Sequence, residues 1–309
     1  MATSRDILSR YDLDALDAKL RDTEGGEVDD SIPELAAADA GLFGVATVTD
    51  DGEIRSAGDA RVPFSLQSAV KPFVYALALM DRGDAVLDAV GTEPTGQAFD
   101  AIVFESETGR PPNPMVNAGA LLTANLVDGD DPDERTARIL AGLSAIAGRD
   151  LEIDRDVAGS ERLLGDRNRA LGYLMRSAGT LDTDVDDAIT VYARACSVLV
   201  DTEVLAIMGA TLAFGGRNPI TGVQALSREV VTETLSVMAT CGMYDGSGRW
   251  LRRVGLPAKS GVAGGLVAVA PGSLGIGVYS PPLDEEGNSV RGVLACEQLS
   301  DDLGLHLFV

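Results

Sequence analysis

Phe64-Ser65-Leu66-Gln67-Ser68-Ala69-Val70-Lys71-Pro72 is the stretch on which the reading of this chain turns. Ser68 and Lys71 stand three apart, and residues at that spacing share one face of a helix, so a hydroxyl and an amine sit side by side. Phe73 to Met80 continues as an apolar run that reads as a buried helix. Pro72 lacks an N–H, which is tolerated only near a first turn, where backbone N–H groups have no intrahelical partner. The helix therefore starts close to Ser68 and places that hydroxyl at the positive end of its dipole. A serine in this position suits nucleophilic attack with lysine as the base. Taken alone, Ser-x-x-Lys is a common pattern, and serine at a helix start is more often an N-cap.

Outward from this stretch, composition narrows the chemistry. The only histidine is His306, which alternates with Leu305, Leu307 and Phe308 near the C-terminus. A Ser-His-Asp triad or a histidine-containing metal site would have to use it, and that terminal stretch reads as a packed or surface segment. Serine chemistry is thereby pushed toward lysine or tyrosine as proton carrier. Only Lys19, Lys71 and Lys259 are lysines, so it matters that two of them fall in motif-like settings. The net charge of −23 argues against nucleic acid and anionic membranes as partners. Acidic residues cluster in loop-like stretches such as Asp128 to Glu134 and Asp284 to Glu286, which reads as solvated surface rather than a cation site. No apolar run reaches the roughly 18 residues of a membrane span, and residues 1–20 lack the apolar core of a secretory signal. Cys196, Cys241 and Cys296 are widely spaced among apolar or small residues and read as buried thiols of a reducing compartment. A cytoplasmic location is the expectation.

The chain pattern places the Ser68 helix between two regions of different character. Residues 5–22 read as an amphipathic helix. Gly41 to Thr49, Asp50-Asp51-Gly52 and Glu53 to Ser56 read as a β-hairpin, and Arg61 to Leu66 as a short strand or loop. From Val70 to about Cys241 the pattern is helical, with stripes over Ala118 to Leu126, Glu134 to Ala147, Arg162 to Ser177, Asp186 to Leu199, Thr202 to Phe214 and Arg228 to Cys241. Three strands are then expected, Ala258 to Ala270, Ser273 to Ser280 and Ser289 to Cys296, with a closing helix over Glu297 to Leu305. The expected architecture is α+β in a single domain, 1–309. An antiparallel sheet comes from about 40–66 and 258–309, and a helical lobe over about 67–245 packs on it.

A second lysine completes a pattern. Pro257-Ala258-Lys259-Ser260-Gly261-Val262-Ala263-Gly264-Gly265 puts Lys-Ser-Gly on a strand followed by small residues that admit a close neighbour. Serine enzymes of the penicillin-recognising class combine Ser-x-x-Lys with a later Lys-[Thr/Ser]-Gly on an edge strand. Both elements are present in that order; the Ser-x-Asn element of the class is not evident.

The resemblance extends well beyond two motifs. Phe64 to Pro72, Asn113-Pro114-Met115-Val116-Asn117-Ala118-Gly119-Ala120, and Ser160-Glu161 with Gly165-Asp166-Arg167-Asn168 resemble signature blocks of the serine-dependent glutaminases. Cys241-Gly242-Met243-Tyr244-Asp245, Leu256 to Gly265, and Ser280 to Asp284 with Gly287 to Val290 do so too. Together they run from about Ile32 to Leu299. The resemblance implies a β-lactamase-like (transpeptidase-like) fold and hydrolysis of L-glutamine to L-glutamate and ammonia, with no metal or other cofactor, and a homo-oligomer, dimer or tetramer. It makes Ser68 the nucleophile, Lys71 its base and Tyr244 the proton carrier toward the leaving ammonia. The backbone N–H groups of Ser68 and Val262 become the oxyanion donors. Gln67, Asn117, Glu161, Asn168 and Tyr192 become substrate contacts. Glu161 suits the substrate ammonium, and the two asparagines can donate to its carboxylate. Lys259 either supplies a second charge that keeps Lys71 partly neutral or holds the Tyr244 and Ser68 oxygens in line.

Each of these residues also has a plainer reading. Asn117 could cap a helix, Asn168 sit in a turn, Tyr192 fill a core, and Glu161 cap the helix after it. One departure stands out: the family usually carries tyrosine where this chain has Ser31, just before Ile32-Pro33-Glu34-Leu35-Ala36. A serine is too short to replace the phenol, so a wetter pocket edge is expected. The rival readings are a β-lactamase or peptidase, which would call for an envelope location, and an inactive glutamine-binding protein.

Overall fold

A computed structural model describes residues 11–97 and 101–309. The first part of the expected N-terminal helix lies outside the described residues; its remainder forms Leu13–Leu20, whose N-cap Asp12 accepts from the Ala15 N–H.

The sheet joins the two ends of the chain. Strands β1 (Gly44–Val48) and β2 (Ile54–Gly58) form the expected hairpin. Two further short strands, β3 (Phe64–Ser65) and β4 (Leu199–Val200), pair only with each other. The C-terminal meander is β5 (Ala258–Ser260), β6 (Gly265–Ala270) and β7 (Leu274–Tyr279), and the main sheet runs β2-β1-β7-β6-β5 with every neighbour antiparallel. Side chains alternate across it, as a strand's period of two requires. Val45, Leu266, Ala268, Leu274, Ile276 and Val278 face one way, under helices Leu13–Leu20 and Val290–Leu303. Ala46, Val48, Gly275 and Gly277 face the other, under helix Thr202–Ala213. A Cβ on Gly277 would sit 2.4 Å from the Thr202 carbonyl oxygen, so glycine is what allows this helix to lie on the strand backbone. Apolar on nearly all sides, the helix is sandwiched between the sheet and a helical lobe. The lobe packs around helix Lys71–Arg82, which is buried from Lys71 to Leu79.

Several expectations are corrected. Ser289 to Cys296 is not a strand: Ser289 caps helix Val290–Leu303 by accepting from Gly292 N–H, and Ala295, Cys296, Leu299 and Leu303 form its buried face. Valines at 290 and 293 suggested a strand, whereas the spacing of the buried residues is helical. The sheet therefore ends at Tyr279 rather than continuing toward 309. Ala258 to Ala270 is two strands, β5 and β6, joined by a tight turn in which Gly264 N–H donates to Gly261 carbonyl. The helix expected over Arg162 to Ser177 breaks at Gly165 into Arg155–Leu164 and Asp166–Ala178, so Glu161 lies inside a helix rather than capping the next one. At the opposite end of the sheet, β3 is separate from the hairpin, so residues 40–66 supply two strands to the main sheet.

Candidate active site

The candidate nucleophile sits where the small β3–β4 pair delivers the chain into the lobe. Leu66 N–H donates to the Val198 carbonyl (2.9 Å), and Gln67–Val70 then form a 3₁₀ turn that runs directly into helix Lys71–Arg82, with Pro72 in its first turn. Gln67 adopts φ +47°, one of two non-glycine residues with positive φ among those described. Such a conformation costs about 1–3 kcal/mol and persists only where its surroundings over-determine it. Here the Gln67 amide donates to Ser65 Oγ (3.3 Å). Strand β5 packs against this turn, and a Cβ on Gly261 would lie 2.6 Å from the Leu66 carbonyl oxygen. Val262 follows immediately, which brings its backbone to the edge of the Ser68 turn. Ser68 is 7% exposed and Lys71 1%.

The Lys71 ammonium is held from the next helix. Asn113 Oδ1 accepts from the N–H groups of Met115 (3.0 Å) and Val116 (3.2 Å), folding the loop ahead of helix Asn117–Leu126. Lys71 Nζ donates to the Met115 carbonyl (3.1 Å) and to Asn117 Oδ1 (2.7 Å). Asn117 Nδ2 in turn donates to Asn168 Oδ1 (3.1 Å), in the first turn of helix Asp166–Ala178.

Tyr244 closes the other side. It carries the second positive φ, +54°, in a turn that Ser247 braces by donating to the Tyr244 carbonyl (2.8 Å) while accepting from Met243 N–H (3.0 Å). Burial pushes the phenol's pKa up, and the nearby hydroxyls of Ser68 and Ser260 oppose the rise. Lys259, fully buried, places Nζ 3.7 Å from the Tyr244 ring centroid and donates to the Ser260 carbonyl (2.6 Å). Burial, and then the nearby charge of Lys71, push the Lys259 pKa well down. Lys71 Nζ lies 5.6 Å from the same ring.

Glu161, Tyr192 and Gln67 form the remaining wall. Burial raises the Glu161 pKa, the nearby Gln67 amide opposes the rise, and the charges of Asp29 and Glu34 add to it. Tyr192 is buried on helix Val185–Cys196, within electrostatic reach of Tyr244 and Glu161. Gln67, Ser68, Lys71, Asn117, Glu161, Asn168, Tyr192, Tyr244 and Lys259 thus lie in one cluster, and Val262 follows Gly261, whose backbone abuts the turn carrying Ser68.

Other residues of the cluster have no role assigned to them from the sequence. Cys196 is engaged with Tyr192, four residues earlier on one helix face, a spacing that could have revealed it. Ser260 Oγ donates to Asn288 Oδ1 (2.7 Å), and Ser160 Oγ to Glu34 Oε1 (2.9 Å). The Met115 carbonyl is a backbone group that no residue type announces. Ser31 is exposed and donates to the Asp29 carboxylate, so the expected phenol position carries a short hydroxyl turned to a neighbouring acid. Among the described residues no group of His, Cys, Asp and Glu side chains is arranged to hold a metal ion, and no helix is long and apolar enough to cross a membrane.

An antiparallel sheet built from both ends of the chain, with a helical lobe carrying Ser-x-x-Lys against a Lys-Ser-Gly strand, defines the β-lactamase-like class of folds. The Glutaminase family model matches residues 26–308. A glutaminase of Clavibacter michiganensis subsp. michiganensis is 65% identical over 305 residues, spanning 99% of this chain and 94% of its own length. A glutaminase of Microcystis aeruginosa is 50% identical over 297 residues, spanning 96% of this chain and 88% of its own. Among solved structures, the probable glutaminase ybaS superposes with a TM-score of 0.93 at 43% identity, covering 96% of both chains. Mglu in its glutamate form does so with a TM-score of 0.92 at 46% identity, covering 96% of this chain and 68% of that one. The chain belongs to the glutaminase family and is an amidohydrolase that converts L-glutamine to L-glutamate and ammonia. That membership sets aside the β-lactamase and inactive-binder readings.

Proposed function

We propose that the chain, acting as one domain over residues 1–309, hydrolyses glutamine through a γ-glutamyl ester on Ser68. The observation that carries this reading is the buried Ser68–Lys71 turn, with Lys71 Nζ held 2.7 Å from Asn117 Oδ1 and 5.6 Å from the centre of the Tyr244 ring. Lys71 accepts the Ser68 proton as Oγ attacks the amide carbon. The oxyanion that forms is stabilised by the N–H groups of Ser68 and Val262, which are fixed in place before the reaction begins. Tyr244 passes a proton to the departing nitrogen and regains one from Lys71, ammonia leaves, and water, deprotonated in turn by Lys71, cleaves the ester by the reverse route. Lys259 braces the phenol through its ring contact and its bond to the Ser260 carbonyl, and its proximity disfavours a second full charge on the pair.

Glutamine's ammonium would face Glu161 beside the Tyr192 hydroxyl, its carboxylate Asn117 and Asn168, and its side-chain amide Gln67 and Ser68. Because the Glu161 pKa is raised, its carboxylate begins to protonate at a higher pH than an ordinary glutamate. KM for glutamine is therefore expected to climb early as pH falls. Purified protein should release ammonia from glutamine and leave the chromogenic cephalosporin nitrocefin intact. Nitrocefin turnover without ammonia release would overturn the reading.

Two features support a homo-oligomer in the cytoplasm. Leu163 (70% exposed), Leu164, Tyr173 and Leu174 are exposed apolar side chains on the two helices that carry Glu161 and Asn168. Cys196, Cys241 and Cys296 are buried free thiols, as a reducing compartment allows. The double change Leu163→Glu, Leu164→Glu is expected to lower the mass measured by light scattering to that of a smaller assembly. A wild-type protein already monomeric would contradict it.

A further inference from the structure

We propose that Asn168 is a positioning residue for the lysine base, acting through Asn117, in addition to any contact with substrate; this rests on the Ser68–Lys71 reading above. An ammonium carries only donors, so only the oxygen end of the Asn117 amide can serve Lys71. Were that amide turned over, an NH₂ group would face the ammonium and Lys71 would lose an acceptor. The end that selects the orientation is the far one, where Asn117 Nδ2 donates to Asn168 Oδ1 at 3.1 Å. One acceptor at position 168 thereby sets which atom of Asn117 lies 2.7 Å from Lys71 Nζ.

Asn168 is itself firmly placed. It lies in the first turn of helix Asp166–Ala178, just after the break at Gly165. The next residue, Arg169, ties that turn to its surroundings: it pairs with Asp166 (3.3 Å) and Asp186 (3.5 Å) and donates to the Arg162 and Leu163 carbonyls. Arg169 joins the end of the Glu161 helix, the start of the Asn168 helix and the start of the Tyr192 helix. With Asn168 Oδ1 taken by Asn117, its NH₂ group remains to donate to a substrate carboxylate. The same side chain can thus report carboxylate binding on one end and hold the base on the other.

Lys71 is surrounded by Ser68, the Met115 carbonyl and Asn117 Oδ1, with the Tyr244 ring 5.6 Å away and Lys259 and Cys196 within electrostatic reach. Acceptors favour the charged lysine, and loss of one favours the neutral form. Asn168→Ala removes the acceptor that holds Asn117. It is expected to move the acid limb of the pH profile of kcat/KM down by about half to one pH unit and to lower kcat about tenfold through misalignment. Asn168→Asp keeps an acceptor for Asn117 and adds a negative charge two hydrogen bonds from Lys71, so the limb should stay or move up. KM should rise in both variants, since neither offers an amide to the substrate carboxylate.

The test measures kcat, KM and the acid limb for wild type, Asn168→Ala and Asn168→Asp, with thermal melting as a check on folding. An acid limb below wild type in Asn168→Ala, with that of Asn168→Asp at or above wild type, supports the proposal. Coincident limbs with only KM altered would overturn it, leaving Asn168 as a substrate contact alone. Should Asn168→Ala fail to fold, a limb in Asn168→Asp below that of wild type would overturn it equally. Persistent turnover by Ser68→Ala would instead sink the reading on which the proposal rests.

Discussion

Ser68→Ala is expected to lower kcat for glutamine on the order of 10⁴–10⁶-fold, since removing a nucleophile leaves only what binding and the oxyanion donors supply. KM should change little, because the contacts to the substrate ammonium and carboxylate come from other segments. The fold should persist. Ser68 is nearly buried, alanine differs by one hydroxyl, and Tyr244 stays in the turn that Ser247 braces. A melting shift worth no more than about 1 kcal/mol follows from loss of one neutral hydrogen bond. Steady-state ammonia release together with thermal melting separates this outcome from simple unfolding.

Lys71→Met is the second large effect. Methionine fills most of the volume of the lysine stem but cannot accept a proton, so kcat should fall by about 10²–10⁴-fold or more. Unlike a variant with a shifted base, this one should show no recovery as pH is raised. Its stability balances two terms. The Met115 carbonyl and Asn117 Oδ1 lose their donor, at about 1–3 kcal/mol for each buried group left unmet. Against this, the charge that helps to push Lys259 down disappears, so the Lys259 pKa should rise. Because burial is the larger cause of the Lys259 shift, that recovery should be partial. A flat pH profile at low rate would fit Lys71 as the base, whereas full activity restored in alkali would place the base elsewhere.

Parts of this arrangement were legible in the residues. Pro72 located the helix start: helix Lys71–Arg82 begins one residue ahead of it, with Ser68 in the 3₁₀ turn that leads in. The Asp-Gly turn located the β1–β2 hairpin. What escaped were features that depend on context. Val290–Leu303 was hidden because Val290 and Val293 favour strands, while its cap, Ser289, is also a common turn residue. The break at Gly165 falls inside a run whose apolar spacing continues through it. Gln67 and Tyr244 occupy positive φ without being glycine, a conformation imposed by neighbours such as Ser65 and Ser247 rather than announced by residue type. The acceptor holding Lys71 from the loop is a main-chain carbonyl, and the Asn168–Asn117–Lys71 chain joins residues far apart in sequence. Blocks could be matched one by one, but the bonds between them belong to the fold.

The central claim is a covalent intermediate on Ser68, and acid quenching of the enzyme during turnover, followed by digestion and mass spectrometry, tests it most directly. The peptide spanning Phe64 to Pro72 should gain the mass of one glutamyl group, at Ser68 and in proportion to the burst of ammonia. Ser68→Ala treated identically should show none. Ammonia released at the full rate by wild type with no glutamyl adduct at any quench time, or with the adduct on another residue, would contradict the account.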